Sequence, residues 1–511
     1  MRTLLFIVAL TFQLVGFAQI PSISYSVPGL LYVGVSTPGY QVTNTGGAPT
    51  KILFATTLAG NETGGYQDGT GTVALFSYPV GLVEDPLTYD IYVADMDNHK
   101  IRKITQKTVV TTVAGGASGF SNGIGNAAKF TAPYFLKMDA NRNIYVVEPA
   151  NNAIRKVTLE GVVSTYAGGV AGNATGNLST AQFNSPTSLV FDSQENLYVA
   201  DNGNKCIRKI TSGGAVSTFA GSGITGFLDG DAATARFNTI RGMCVDAADN
   251  VYVADYGNNA IRKITPAGYT STLAGLGVIN AGYVDGNSDV ARFNGPYDVA
   301  FGKNGNLYVA DNLNYCIRMV TMSGVVSTAI GTNSLGLVDG DVGVARLRYP
   351  RGIAIDHVGD LLIADTYNQR ICKVINQKFR ISPALPDGLT LDGETGTIAG
   401  TPTETKAQTT YTISSANDSG TATTTVTFAV VTTSVTATTD VVSNSKLSVL
   451  DAGLKIRFEG SATVELYTSA GILIEKNIYT NEYSKKLDKG LYLLRLSADG
   501  SKSMVYKIVI L

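Results

Sequence analysis

Six acidic side chains recur along this chain, each with the same companions. Asp95, Glu148, Asp201, Asp255, Asp311 and Asp365 stand 53 to 56 residues apart. An asparagine follows each by three positions: Asn98, Asn151, Asn204, Asn258, Asn314 and Asn368. An arginine follows by seven in five copies (Arg102, Arg155, Arg208, Arg262 and Arg318), and Cys372 holds that place in the sixth. Two chemistries fit the pattern. Six carboxylates in a ring could hold a cation. Alternatively, each acid accepts backbone N–H groups across a tight turn, the asparagine tolerates a left-handed conformation, and the arginine pairs with the carboxylate. Recurrence in every copy is what a turn device predicts.

A second set lies between the copies. Asp229 precedes Arg236, Asp285 precedes Arg292 and Asp339 precedes Arg346, each by seven residues, with Phe237, Phe293 and Leu347 next in line. Lys129 and Gln182 take the arginine place in two other copies. A crown of Arg236, Arg292, Arg346 and Lys129, with Asp229, Asp285 and Asp339, suits an anionic ligand or a polar polymer. The structural alternative is that each Asp–Arg pair pins its own loop while the following apolar residue plugs a seam. Asp229 with Asp231, Asp285 with Asp289, and Asp339 with Asp341 also offer oxygen ligands to calcium. No twelve-residue EF-hand loop is present, so no cofactor is assigned. Two dispersed histidines, His99 and His357, supply no zinc site, and no nucleophile elbow occurs. No catalytic or metal residue is assigned.

These residues need a scaffold that repeats. Each unit has short β-branched and aromatic runs cut by Gly, Asn, Asp and Pro. In the fourth, 241–246, 250–254, 260–265 and 269–274 read as four strands joined by tight turns. Four antiparallel strands per unit make a propeller blade, and no sustained helical period follows the amino terminus. A Thr-x-Ala-Gly-type signature ends each fourth strand. One copy, Leu58–Gly60, precedes the first blade, and the sixth blade lacks its own. Residues 52–59 are therefore expected to supply the outer strand of blade six and close the ring.

The blades, from about Ile52 to Ile375, resemble the NHL repeat family, with its Tyr-Val-Ala-Asp strand, Asn-containing turn and Ile-Arg. Pro383–Leu389 and Thr395–Pro402 resemble Ig-like modules of bacterial surface proteins. The turn that such a module places before them, Thr43–Pro49, lies more than 300 residues upstream. The propeller is thus expected to be inserted in the sandwich, which hangs from the face opposite the long loops. Val464–Gly471, Lys489–Leu496 and Lys507–Leu511 resemble the C-terminal sorting domains of the Bacteroidetes type IX secretion route.

The expected fold is all-β: a six-bladed β-propeller inserted into an Ig-like β-sandwich, followed by a small C-terminal β-sandwich domain. The divisions are a signal peptide at 1–18, the first Ig-like part at 19–50, the propeller at 51–377, the second Ig-like part at 378–431, a linker at 432–445 and the sorting domain at 446–511. Arg2, the apolar run 4–17 and Gly16–Ala18 carry the signal-peptide reading; no later stretch is long and apolar enough to span a bilayer. Net charge is −1 and 15% of residues are charged, which gives no basic footprint for nucleic acid. Four cysteines are expected as buried free thiols. The expected function is a secreted or cell-surface binding protein, a monomer. Its long-loop face recognises an extracellular protein or glycan, and its tail engages the secretion machinery. The alternative is a secreted hydrolase or lyase at the central channel.

Overall fold

The structure is a computed structural model describing residues 22–46, 48, 52–277, 280–417, 420–431, 446–450, 453–468, 473–486, 490–498 and 504–510. The expected signal peptide and the linker at 432–445 lie outside the described residues. Strands and one-turn 3-10 segments make up the regular structure, with no α-helix among the described residues. Two compact units result: Ile52–Asn376, and the flanking segments 1–51 with 377–511.

The first unit holds six antiparallel sheets. In blade four, Ile240–Val245 is innermost, then Val251–Asp255, Ala260–Ile264 and Thr270–Ala274. Every residue of Val251–Asp255 is buried, because both faces of the sheet pack against neighbouring blades. Phe237 fills such a seam: it is fully buried among Tyr198 and Ala200 of blade three and Val253 and Ile264 of blade four. Phe76, Phe130, Phe183, Phe293 and Leu347 are equally buried, as the seam-plug reading expects. Short loop strands such as Gly69–Thr70 and Gly123–Ile124 pair with the outer strands and cover edges that would otherwise expose unpaired backbone.

Ile52–Gly60 adds to blade six beside Arg370–Gln377, so the ring closes as expected. At the inner radius the same junction is tight. A Cβ on Gly352 of blade six would stand 1.9 Å from the Val80 carbonyl oxygen of blade one.

In the second unit, Leu30–Tyr32 runs parallel to Gly420–Val431, with Leu31 opposite Val430. Lys406–Asn417 and Phe379–Ser382 complete that sheet. Ile23 and Leu31 share a core with Phe379, Ile398, Tyr411 and Phe428. Chain before the propeller and chain after it therefore build one hydrophobic core. C-terminally, Gly453–Thr468 centres a five-stranded sheet; it pairs with Lys446–Leu450, Leu473–Lys486 and Gly490–Ala498, and the last pairs with Met504–Ile510.

Cys206, Cys244, Cys316 and Cys372 are free and buried, and burial pushes the Cys206 and Cys372 thiols up to about 12. Among the described residues no helix is long and apolar enough to cross a membrane.

Candidate functional site

The six recurring acids turn inward to their own loops, not toward a cation. One oxygen of Asp255 accepts the Asn238 N–H at 3.0 Å; the other takes Asn258 Nδ2 at 2.7 Å and Arg262 Nη1 at 2.9 Å. The same acid–arginine bond recurs at 2.6 to 3.0 Å in blades one to five. Both partners are buried in each pair. Burial pushes the Asp95 and Asp311 carboxyls up to about 6, against the pull of Arg102 and Arg318. The asparagine also donates to the start of the long loop, as Asn258 does to the Gly226 carbonyl at 2.8 Å.

Blade six keeps the pair by another route. Arg370, five residues after Asp365, donates Nε to it at 2.8 Å and Nη1 to Asp339 at 2.5 Å. Arg370 and Cys372 lie on the same face of their strand, since side chains alternate with period two. A guanidinium starting one pleat nearer the turn reaches the acid by Nε instead of Nη1.

The loop acids do not pair with the loop arginines seven residues on, which corrects the expected self-pinned loops. Asp229 binds Arg262 at 2.7 Å, and Asp285 binds Arg318. Asp229 also accepts the Thr272 N–H at 2.9 Å on the outer strand. Asp231 accepts the Ala233 and Thr234 N–H groups at 3.1 and 3.0 Å as a turn acceptor. Arg236, Arg292 and Lys129 give the buried arginines their main-chain carbonyls. The Arg236, Arg292 and Arg346 side chains lie across Gly226, Gly282 and Gly336 at the loop starts, where a Cβ would sit 3.0 to 3.3 Å from each Cδ. Arg292, Arg346 and Lys129 are exposed and Arg236 half-buried. All stand toward the outer strands, at the rim of the long-loop face.

The centre of that face holds a cluster that periodic patterning missed. The second residue of each inner segment is Val80, Tyr134, Thr187, Arg241, Tyr297 or Arg351. The Tyr134 and Tyr297 hydroxyls meet although they come from blades two and five, which are opposite in a six-membered ring, so this pair crosses the axis. Arg241 donates to the Tyr134 hydroxyl at 3.2 Å and lies 5.2 Å from the Tyr297 ring centroid and 5.5 Å from that of Tyr256. Arg351 lies 5.1 Å from Tyr297 and 5.6 Å from Tyr367. Tyr367 in turn meets Tyr78 and Tyr349 at 4.9 and 4.6 Å. These are cation–π and edge-type aromatic distances. Below this floor Asp298 is fully buried, accepting the Val299 and Ile353 N–H groups at 2.9 Å; burial pushes its carboxyl up to about 7.

On the opposite face Glu84, Asp356 and His357 bring one ligand atom each within 4.8 Å. Lys373 stands 2.7 Å from Asp356 and 3.2 Å from Asp360, so an ammonium already neutralises these acids. His357 Nδ1 meets Glu84 at 3.0 Å, joining blade six to blade one. His99, the other histidine, accepts the Ala132 N–H at 3.3 Å between blades one and two. Both histidines tie neighbouring blades.

Comparison with known proteins agrees with this geometry. Residues 183–210, 237–264 and 347–374 match the NHL repeat family, and residues 367–433 match the family described as Putative Ig domain. The chain is 28% identical to the Arabidopsis thaliana protein SUPPRESSOR OF QUENCHING 1, chloroplastic, over 58% of this chain and 30% of that one. It is 27% identical to human NHL repeat-containing protein 2 over 60% of this chain and 48% of that one. The chain thus spans less than half the length of these relatives. Among solved structures, an auxiliary nutrient binding protein from Bacteroides thetaiotaomicron superposes with TM-score 0.52 at 18% identity, covering 68% of this chain and 84% of that one. A Bacteroides thetaiotaomicron protein of unknown function gives 0.51 at 18%, covering 70% and 90%. These likenesses show the fold: an NHL-repeat propeller with an Ig-like module.

Proposed function

We propose that this chain is an exported binding protein whose long-loop propeller face recognises an extracellular protein or glycan. One observation carries the reading. At the centre of that face two guanidinium groups are caged by tyrosines and have no carboxylate partner among the described residues, whereas the six buried arginines of the loop networks are all ion-paired. Arginine and tyrosine are the residue types enriched where partners bind. Arg236, Arg292, Arg346 and Lys129 add outer contacts, while Asp229, Asp285 and Asp339 hold the loops in place. Likeness to a structure named as a nutrient binding protein supports a binding role. The hydrolase or lyase alternative has less support, because a tyrosine pair crosses the axis where that chemistry would run.

Changing Arg241 and Arg351 to Gln is expected to abolish capture on a glycan array and in pull-downs with the full chain. Changing Arg236, Arg292 and Arg346 together to Ala is expected to weaken it. Unaltered capture by both variants would refute the reading. Residues 1–18 direct export, and the tail engages a type IX secretion machinery of Bacteroidetes type at the outer surface. Deleting residues 432–511 should leave the protein in the periplasm by fractionation; normal release would show the tail is not a sorting signal.

A further inference from the structure

We infer that the mouth at the propeller axis receives the terminal residue of an acidic saccharide, a pyranuronate whose carboxylate is held by Arg241 and Arg351 and whose ring stacks on tyrosine. The inference rests on the long-loop face being the binding surface and names what that surface recognises. Arg241 of blade four and Arg351 of blade six flank Tyr297 of blade five, 5.2 and 5.1 Å from its centroid. Their guanidinium carbons are therefore no further apart than the sum of those two distances, which keeps both groups within reach of one bound pyranuronate.

The charge is uncompensated. Among the described residues Arg351 donates no hydrogen bond, and Arg241 donates one, to a neutral phenol. Burial holds Lys205 below its usual range; the Asp255 carboxylate opposes this and Arg241 adds to it, so Lys205 borders the site with an acid of its own nearby. Asp97 lies near enough to feel the Arg351 charge but forms no ion pair with it among the described residues. Partly desolvating a guanidinium without an anion costs free energy, which a ligand carboxylate would return.

Shape selects the kind of anion. The Tyr134–Tyr297 pair crosses the axis, so a ligand at this face meets a tyrosine floor instead of a through-channel. Half-buried Tyr349 and Tyr367 pack ring to ring beside Arg351 and border the mouth with aromatic surface. A pyranuronate presents a rigid face of C–H groups and a planar carboxylate fixed to the same ring. The guanidinium fork matches a planar carboxylate in two parallel bonds. An acidic peptide side chain carries its carboxylate on a flexible stem and must be ordered on binding.

The test is calorimetric titration of the full chain with a trimeric oligogalacturonide, its fully methyl-esterified form, and a sulfated neutral trisaccharide. The free acid is expected to bind ~tenfold or more tightly than the ester, and Arg351→Gln to remove that preference. Arg351→Lys keeps the charge without the fork and is expected to fall between; it also serves if the Gln variant does not fold, which thermal melting reads directly. Equal affinity for acid and ester, or tighter binding of the sulfated sugar, would overturn the inference and leave the binding face standing. Binding of a host protein alone, lost in Arg351→Gln, would do the same. If no ligand responds to either arginine, the inference and the reading of the face fall together.

Discussion

At the scale of single residues, the buried arginines act as pins between two loops of one blade. Arg262 is fully buried and spends its Nη groups on Asp255, Asp229 and the carbonyls of Arg236 and Leu228. Arg262→Met fits similar volume but strands Asp255 as an unpaired buried carboxylate. The expected loss is about 3–5 kcal/mol, read as a lower urea midpoint. Arg236→Ala, by contrast, removes a half-buried side chain and leaves intact the main-chain carbonyl that Arg262 uses; it should cost no more than about 1 kcal/mol. A loss for Arg262→Met as small as that for Arg236→Ala would show that the network is no more than surface charge. The pins were legible in the sequence because acid, asparagine and arginine keep their offsets in five copies. The sixth was not, because the offset changes from seven to five while the side chain stays on the same strand face. The loop acids were misassigned because Asp229 and Arg236 look like partners in sequence, while the guanidinium 33 residues further on reaches that acid in space.

At the scale of elements, each turn between second and third strands ends in a left-handed residue, and in four of the six that side chain accepts an N–H from the next blade. His99 receives the Ala132 N–H, Asn152 the Ser185 N–H at 2.9 Å, and Asn259 the Gly295 N–H at 2.8 Å. Gln369 receives the Tyr78 N–H at 2.6 Å, carrying the same device across the closure from blade six to blade one. Closure is thus made by the outer strand Ile52–Gly60, by this turn, and by His357 on Glu84. The outer strand was legible because its Ala-Gly ending stands out of order. The inner tie was not, because the place holds His99, Asn152, Lys205, Asn259, Tyr315 and Gln369, which share no side-chain type. The candidate mouth was hidden for a related reason. Val80, Tyr134, Thr187, Arg241, Tyr297 and Arg351 occupy one position in six blades and repeat poorly. Periodicity finds the residues every blade needs to fold, and a ligand needs a floor that differs from blade to blade.

At the scale of the whole chain, the propeller is a guest in another domain's sequence. Leu31 sits opposite Val430 across some four hundred residues of chain, and both are buried in the core around Tyr411 and Phe428. Neither flanking segment can bury that core alone, and a domain of this size has little stability to spare. Insertion between them is tolerated because both ends of the guest belong to one sheet, where Ile52–Gly60 lies beside Arg370–Gln377. In a chain ended at Val431, replacing residues 51–377 with a short Gly/Ser linker should therefore leave a module that folds. It should show a strand-type far-UV circular dichroism spectrum and a cooperative thermal transition. Leu31→Asp in that shortened chain should abolish the transition, because it buries a charge in the shared core. A shortened chain with no transition would mean that the sandwich needs its guest to fold. A transition that survives Leu31→Asp would mean that residues 378–431 fold without the amino-terminal strands, and the split-module account would fail.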